Sequence, residues 1–261
     1  MIEHENFIPK NNEISGKNKN ESNAVCFYSE TGETKRIAEY FAKETGYTLT
    51  DITENGIAKT KAKEAETFYY DNLVLCFPVH CQNIPGLVRD FLSVSKIKNL
   101  TVIATYGKMN HGNVLYEVRK KYRKNIKIIV AAAYVPTKHS YINGDKPFDD
   151  FGVLKPVAQK IKNPSEVFLT KLKKNPLSNL FPKRRSRIGI KIYKNDDCNS
   201  CGLCESSCNY AAIKNGVTNN KCIRCLKCVK ICPESAIGFK PDFFMKKYLE
   251  KKKLTDTIIY I

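Results

Sequence analysis

Eight cysteines toward the C-terminal end carry the clearest chemistry in the sequence. They form two runs, Cys198, Cys201, Cys204, Cys208 and Cys222, Cys225, Cys228, Cys232, each spaced C-x2-C-x2-C-x3-C, and Pro233 follows the second. Three thiolates in a tight loop can take three irons of one cubane, while the fourth, three residues further on, is carried away to complete another. The pattern predicts two [4Fe–4S] clusters. One is held by Cys198, Cys201, Cys204 and Cys232, the other by Cys222, Cys225, Cys228 and Cys208. Zinc sites usually draw their ligands as two separated pairs, often with histidine, and no histidine lies near these cysteines. A disulfide framework suits a short secreted chain, and the opening Met1-Ile2-Glu3-His4-Glu5-Asn6 has no apolar core of a signal peptide.

The segments that must position these thiols form an internal repeat. Residues 198–213 match 222–237 at an offset of 24, and both copies end in Ala-Ile, at Ala212-Ile213 and Ala236-Ile237. Apolar residues directly after the ligands would wall the clusters from water, and burial helps set reduction potential. The copies differ at Asn209, which stands where the second has Pro233.

At 261 residues the chain is long enough for two domains. No apolar stretch is long enough to span a bilayer, and Thr257-Ile258-Ile259-Tyr260-Ile261 is too short for an anchor. Thiolate clusters without a targeting signal point to a reducing cytoplasm. The formal net charge of +18 comes from lysines scattered along the chain, densest at Lys183-Arg184-Arg185-Ser186-Arg187. No recognisable nucleic-acid module accompanies the charge. A soluble, acidic redox partner is the expected complement, because opposite charge speeds encounter.

Upstream, Ala24-Val25-Cys26-Phe27-Tyr28 reads as a buried strand running into Ser29-Glu30-Thr31-Gly32-Glu33-Thr34, followed by a helix with Ile37, Ala38, Phe41 and Ala42 on one face. Hydroxyls and a glycine between a strand and a helix start suit a phosphate, because the N–H groups there point outward at the positive end of the dipole. Residues 47–52, Leu73-Val74-Leu75-Cys76-Phe77, Leu100-Thr101-Val102-Ile103-Ala104 and residues 126–134 read as further strands, with helices between them. This alternation predicts a parallel α/β sheet whose ligand lies beyond the carboxyl ends of the strands.

On these residues the upstream half resembles flavodoxin. The run ending in Cys232-Pro233 resembles the bacterial ferredoxins, and the whole resembles the flavodoxin–ferredoxin fusion proteins of anaerobic bacteria. The resemblance covers about residues 24–240. The motifs that carry it are Ser29-x-Thr31-Gly32-x-Thr34, the loop from Pro78 to Asn83, and Tyr106-Gly107. It implies a doubly wound five-stranded parallel sheet of order 2-1-3-4-5, followed by a small α+β dicluster ferredoxin domain. It also implies FMN. Ser29, Thr31, Gly32 and Thr34 would bind the phosphate. Pro78, Val79, His80, Cys81 and Asn83 would border one side of the flavin, and Tyr106, Gly107 and Gly112 the other. Two departures stand out. Glu33 occupies a position where flavodoxins commonly have Asn, and the chain has no tryptophan, so His80 or Tyr106 would have to stack on the ring.

The domains expected are a flexible N-terminal extension at 1–22, the FMN-binding domain at 23–162, a proline-interrupted linker at 163–190, the ferredoxin domain at 191–240, and a basic C-terminal tail at 241–261. A basic amphipathic helix is expected over 243–253 of that tail. Cys26 and Cys76 read as packing residues, and His111 as a solvated loop residue. His139 and Tyr141 follow the fifth strand, where the spacing of Pro136 and Tyr141 resembles the family, but no role is assigned to them from sequence. No G-x-G-x-x-G occurs, so a dedicated NAD(P)H domain is not expected. The expected function is electron transfer between the clusters and FMN in anaerobic metabolism. The rival expectations are an FMN-dependent reductase of a quinone or nitro compound, and a flavin-free docking scaffold for a ferredoxin.

Overall fold

In this computed structural model, residues 22–53, 67–172 and 182–261 are described. Most of the expected N-terminal extension, and Leu177, Leu180 and Phe181 of the linker, lie outside them.

The upstream half is built on β1 (Asn23–Phe27), β2 (Thr48–Asp51), β3 (Phe68–Pro78), β4 (Ser95–Tyr106) and β5 (Ile126–Pro136). These strands are parallel and lie in the order 2-1-3-4-5, which is the flavodoxin-like doubly wound order. The strands are apolar because both faces are covered. Helices α2 (Gly86–Ser93) and α3 (Val114–Lys121) pack one face around Leu73, Leu75, Phe77, Val102 and Tyr134. Helices α1 (Glu33–Thr45) and α4 (Lys155–Lys162) pack the other around Val25, Phe27, Val74, Cys76 and Ile103. Helix α1 buries Ile37, Ala38 and Phe41, three to four residues apart on one face.

The sheet has six strands where five were expected. The sixth, β10 (Ile258–Tyr260), comes from the C-terminal end and pairs antiparallel with β5. Residues 241–261, expected as a tail, thus return to the upstream half. Short, alternating and apolar, Ile258-Ile259-Tyr260 suits an edge strand covering β5, with Ile258 and Tyr260 packed on one face and Ile259 on the other. The expected linker is also structured in part. The Val167 N–H donates to the Ile129 carbonyl at 2.8 Å, Leu169 and Leu172 pack on the upstream core, and α5 (Pro182–Gly189) precedes the cysteines.

The C-terminal half is small. Strand β6 (Ile190–Lys194) pairs antiparallel with β9 (Ile237–Pro241), and β7 (Ile213–Lys214) with β8 (Val217–Thr218). Between them lie α6 (Leu203–Ser206) and α7 (Lys227–Ile231), 24 residues apart like the cysteines. Helix α8 (Phe243–Leu249) follows, capped by the Asp242 carboxylate, which accepts from the Met245 N–H at 2.7 Å.

Candidate flavin cavity and iron–sulfur sites

The sequence repeat is also a backbone repeat. Ser200 and Arg224, Gly202 and Leu226, and Ala211 and Ser235 are three pairs at the 24-residue offset, and all six residues have positive φ. Left-handed residues at fixed points bend each loop so that its thiols converge. The fourth thiol of each run accepts a backbone N–H at 3.3 Å, Cys208 from Ala212 and Cys232 from Ala236. Such N–H···S bonds are among the contacts that tune cluster potentials.

These loops gather the cysteines in two sets. Cys208, Cys222, Cys225 and Cys228 surround one void, and Cys198, Cys201, Cys204 and Cys232 surround another. These are the sets drawn from the spacing, with the fourth cysteine of each run exchanged. Among the described residues no three His, Cys, Asp or Glu side chains converge as the ligands of a single ion would. Thiols around a void, rather than around a point, suit a polynuclear cluster better than zinc. Burial pushes the Cys225 thiol up and the Cys228 thiol to about 11. A bare thiolate is therefore disfavoured there, and cationic irons would supply the charge that stabilises it.

A cavity of about 480 Å³ opens beyond the carboxyl ends of β1, β3, β4 and β5. Ser29, Thr31, Thr34, Pro78, Val79, His80, Cys81, Tyr106 and Gly107 line it, as do Glu30, Glu33 and Gln82. Gly32, Asn83 and Gly112 do not line it; they shape its walls. Gly32 is the left-handed cap of α1, and its N–H donates to the Ser29 hydroxyl at 3.1 Å. Asn83 and His80 exchange two backbone hydrogen bonds of 2.9 and 3.0 Å. Cys81 and Gln82 between them both have positive φ, so the loop is a mirror-image turn made without glycine, a strained choice. Gly112 also has positive φ, and a Cβ there would lie 2.5 Å from the Gln82 carbonyl, so glycine lets the second and third loops touch.

The polar groups are arranged differently from the simple phosphate loop expected. Thr34 is buried, its hydroxyl 2.8 Å from that of Thr105. The Glu30 carboxylate turns inward, accepts from the Tyr28 hydroxyl, and lies 3.0 Å from His80 Nε2. Burial raises the Glu30 carboxyl, but the facing His80 and the hydrogen bonds outweigh it and leave it below its ordinary value. With the Tyr28 proton directed at Glu30, the Tyr210 hydroxyl donates to the Tyr28 oxygen at 2.9 Å, tying the two halves together. Glu33 faces the cavity. Its Oε2 is buried without a hydrogen-bond partner, 3.8 Å from Arg36 Nη1. The Gln82 Oε1 is likewise buried and unpartnered.

Neither aromatic expected to replace tryptophan is simply a stacking platform. The Tyr106 ring is 3% exposed, packs edge-on to His111, and donates its hydroxyl to the Asp256 carbonyl at 3.2 Å. His80 is drawn to Glu30. His111 is not solvated as expected. It stacks on Tyr134 at 4.1 Å, and burial lowers its pKa.

Sequence reasoning missed a fourth loop. Thr137, Lys138, His139, Ser140 and Tyr141 line the cavity after β5. His139 packs over Gly107, where a Cβ would lie 2.4 Å from its ring. Burial depresses its pKa to about 4. Its Nδ1 accepts the Tyr141 N–H at 3.1 Å, which leaves the proton of the neutral ring on Nε2. The Tyr141 hydroxyl donates to the Arg224 carbonyl at 2.7 Å. Ile223, Arg224 and Cys225 from the cysteine half, Met245 and Tyr248 from α8, and Lys251 just after it also line the cavity. The Pro136 to Tyr141 stretch after a strand was the one available sequence signal.

The 4Fe–4S binding domain family matches this chain twice, at residues 217–238 and 195–211. The C-terminal half therefore carries iron–sulfur modules of ferredoxin type. An uncharacterized polyferredoxin-like protein of Methanocaldococcus jannaschii is 39% identical over 71 residues, which is 27% of this chain and 31% of that protein. The match thus spans about a third of the relative. Among solved structures, a protein of Bacteroides uniformis classed as a flavoprotein aligns with a TM-score of 0.36 at 17% identity, over 55% of this chain and 99% of its own. An NAD(P)H:quinone oxidoreductase from Methanothermobacter marburgensis aligns with a TM-score of 0.31 at 10% identity, over 56% and 97%. Both likenesses are slight, and the fold rests on the strand order itself.

Proposed function

We propose that the chain is an iron–sulfur flavoprotein of the cytoplasm that passes electrons between its 4Fe–4S clusters and FMN, in exchange with a separate acidic redox protein. The observation that supports this most is a shared wall. Glu30, Ile223 and Cys225 line both the cavity and the void ringed by Cys208, Cys222, Cys225 and Cys228. A ligand in the cavity and a cluster in that void would be neighbours in one chain. FMN would supply one- or two-electron chemistry and each cluster one-electron chemistry.

The residues present suit a flavin. The cavity falls within the ~300–1,000 Å³ usual for cofactors, and the unpartnered Gln82 Oε1 suits a ring N–H. Ser29, Thr31, Gly32 and Thr34 stand at the start of α1, where a phosphate would sit. Pro78, Val79, His80 and Cys81, set by the turn that Asn83 closes, would flank the ring. Tyr106, Gly107 and Gly112 would hold the opposite wall. His139 offers an Nε2–H from a neutral ring, and Tyr141 with Arg224 closes the seam against water. The eight cysteines would hold the clusters in the two sets they form.

Anaerobic purification with iron, sulfide and flavin quantified together tests the reading. About eight irons and one FMN per chain are expected. About eight irons without FMN would overturn the flavin part. Glu33 favours that second outcome, in which the upstream half is a docking scaffold, because a carboxylate facing the cavity beside a phosphate is unfavourable. On the scaffold reading, Glu33→Asn should create FMN binding; tight binding by the unaltered chain would eliminate it.

A further inference from the structure

Helix α8 has a second face that the cavity does not use. Met245 packs on Gly189, and Met245, Tyr248 and Lys251 reach the cavity. Phe243 and Phe244 do not line the cavity and are 63% and 79% exposed, and Ile188, the residue before Gly189 in α5, is 70% exposed. Helical spacing groups Phe243, Phe244 and Lys247 on one side, and Lys247 Nζ lies 4.6 Å from the Phe243 ring centre. Lys246 and Lys252 are exposed as well.

We propose that this face is a peripheral docking site for an anionic membrane surface, with Phe243, Phe244 and Ile188 entering the headgroup region and the lysines pairing with lipid phosphates. Two points favour lipid over an acidic protein. Phe243 and Phe244 are mostly exposed, and a protein partner would need matching pockets for them where a fluid interface needs none. Aromatics interleaved with lysines are also the pattern of helices that lie in a membrane interface. The lysine stems run along apolar surface while their heads reach phosphate. No helix among the described residues is long and apolar enough to cross a bilayer, so the attachment is to one leaflet. The proposal rests on this surface alone and stands apart from the flavin reading.

The test uses the full chain, purified with its clusters, in co-sedimentation with phosphatidylcholine vesicles with and without phosphatidylglycerol. Binding only to the anionic vesicles, weakening with salt, is expected. Lys246→Gln and Lys247→Gln should each weaken it about five-fold. Phe243→Ser with Phe244→Ser, at positions too exposed to affect folding, should weaken it about ten-fold or more. No binding to anionic vesicles at low salt would overturn the proposal. So would equal binding to phosphatidylcholine alone. Anionic binding that the double Phe variant leaves unchanged would also overturn it, and would leave the lysines as a surface for an acidic protein.

Discussion

The two halves of this chain are held together by different means. The upstream half buries large side chains on both faces of its sheet, among them Tyr28, Phe41, Phe77, Phe91 and Tyr134. The cysteine half buries little beyond Ile190, Ala212, Ile213, Leu226, Ala236 and Ile237. Apolar burial drives folding in proportion to area, so the first half has the means to hold its shape alone and the second does not. A domain with so small a core depends on cross-links or metal. The cavity lies where these two unlike halves meet.

Removing the clusters should break the symmetry between the halves most completely. Chelation of the iron should abolish hydrogen-exchange protection across 190–241 while β1, β3, β4 and β5 stay protected. Metal binding in such small domains is worth on the order of 10 kcal/mol. Persistent protection in the cysteine half would show that its core suffices. A smaller effect, confined to the upstream half, comes from His139. Its pKa is near 4 in the fold against 6.5 ordinarily, so the unfolded chain binds more protons between those values. The contribution is present above pH 6.5 and is lost as pH falls toward 4, a loss of roughly 2–3 kcal/mol. Urea denaturation at pH 7 and 5 should show a larger drop for the wild type than for His139→Gln; equal drops would remove His139 as the cause. The smallest effect is expected at the seam. Tyr210→Phe removes the hydrogen bond to Tyr28 but leaves Tyr28 bonded to Glu30, so it should cost about 1 kcal/mol. In urea titrations, an unchanged midpoint would show that the halves are joined elsewhere, as by Tyr141 and Arg224.

Much of the site was legible because its signals are local. Cysteine spacing alone divides the thiols into the two sets that ring the voids. Strand–loop–helix alternation alone brings the first three loops to one end of the sheet. Other features gave no local signal. Glu30 looks like any loop carboxylate until Tyr28 and His80 are placed beside it. His111 looks solvated until it is set against Tyr134. Residues 137–141 carry no chemical motif beyond the spacing of Pro136 and Tyr141, yet they wall the cavity because β5 ends beside β4.

The sequence by itself determined the doubled cysteine spacing, the α/β alternation and the basic charge, since each is written in spacing or composition. Only the tertiary structure decided that the last residues cross back as β10 on the upstream sheet, that Cys225 and Glu30 wall two sites at once, and that two phenylalanines of α8 are left in solvent. Those outcomes depend on which surfaces meet after the chain folds, and contacts between residues as far apart as Tyr28 and Tyr210 leave no mark in either neighbourhood of the sequence.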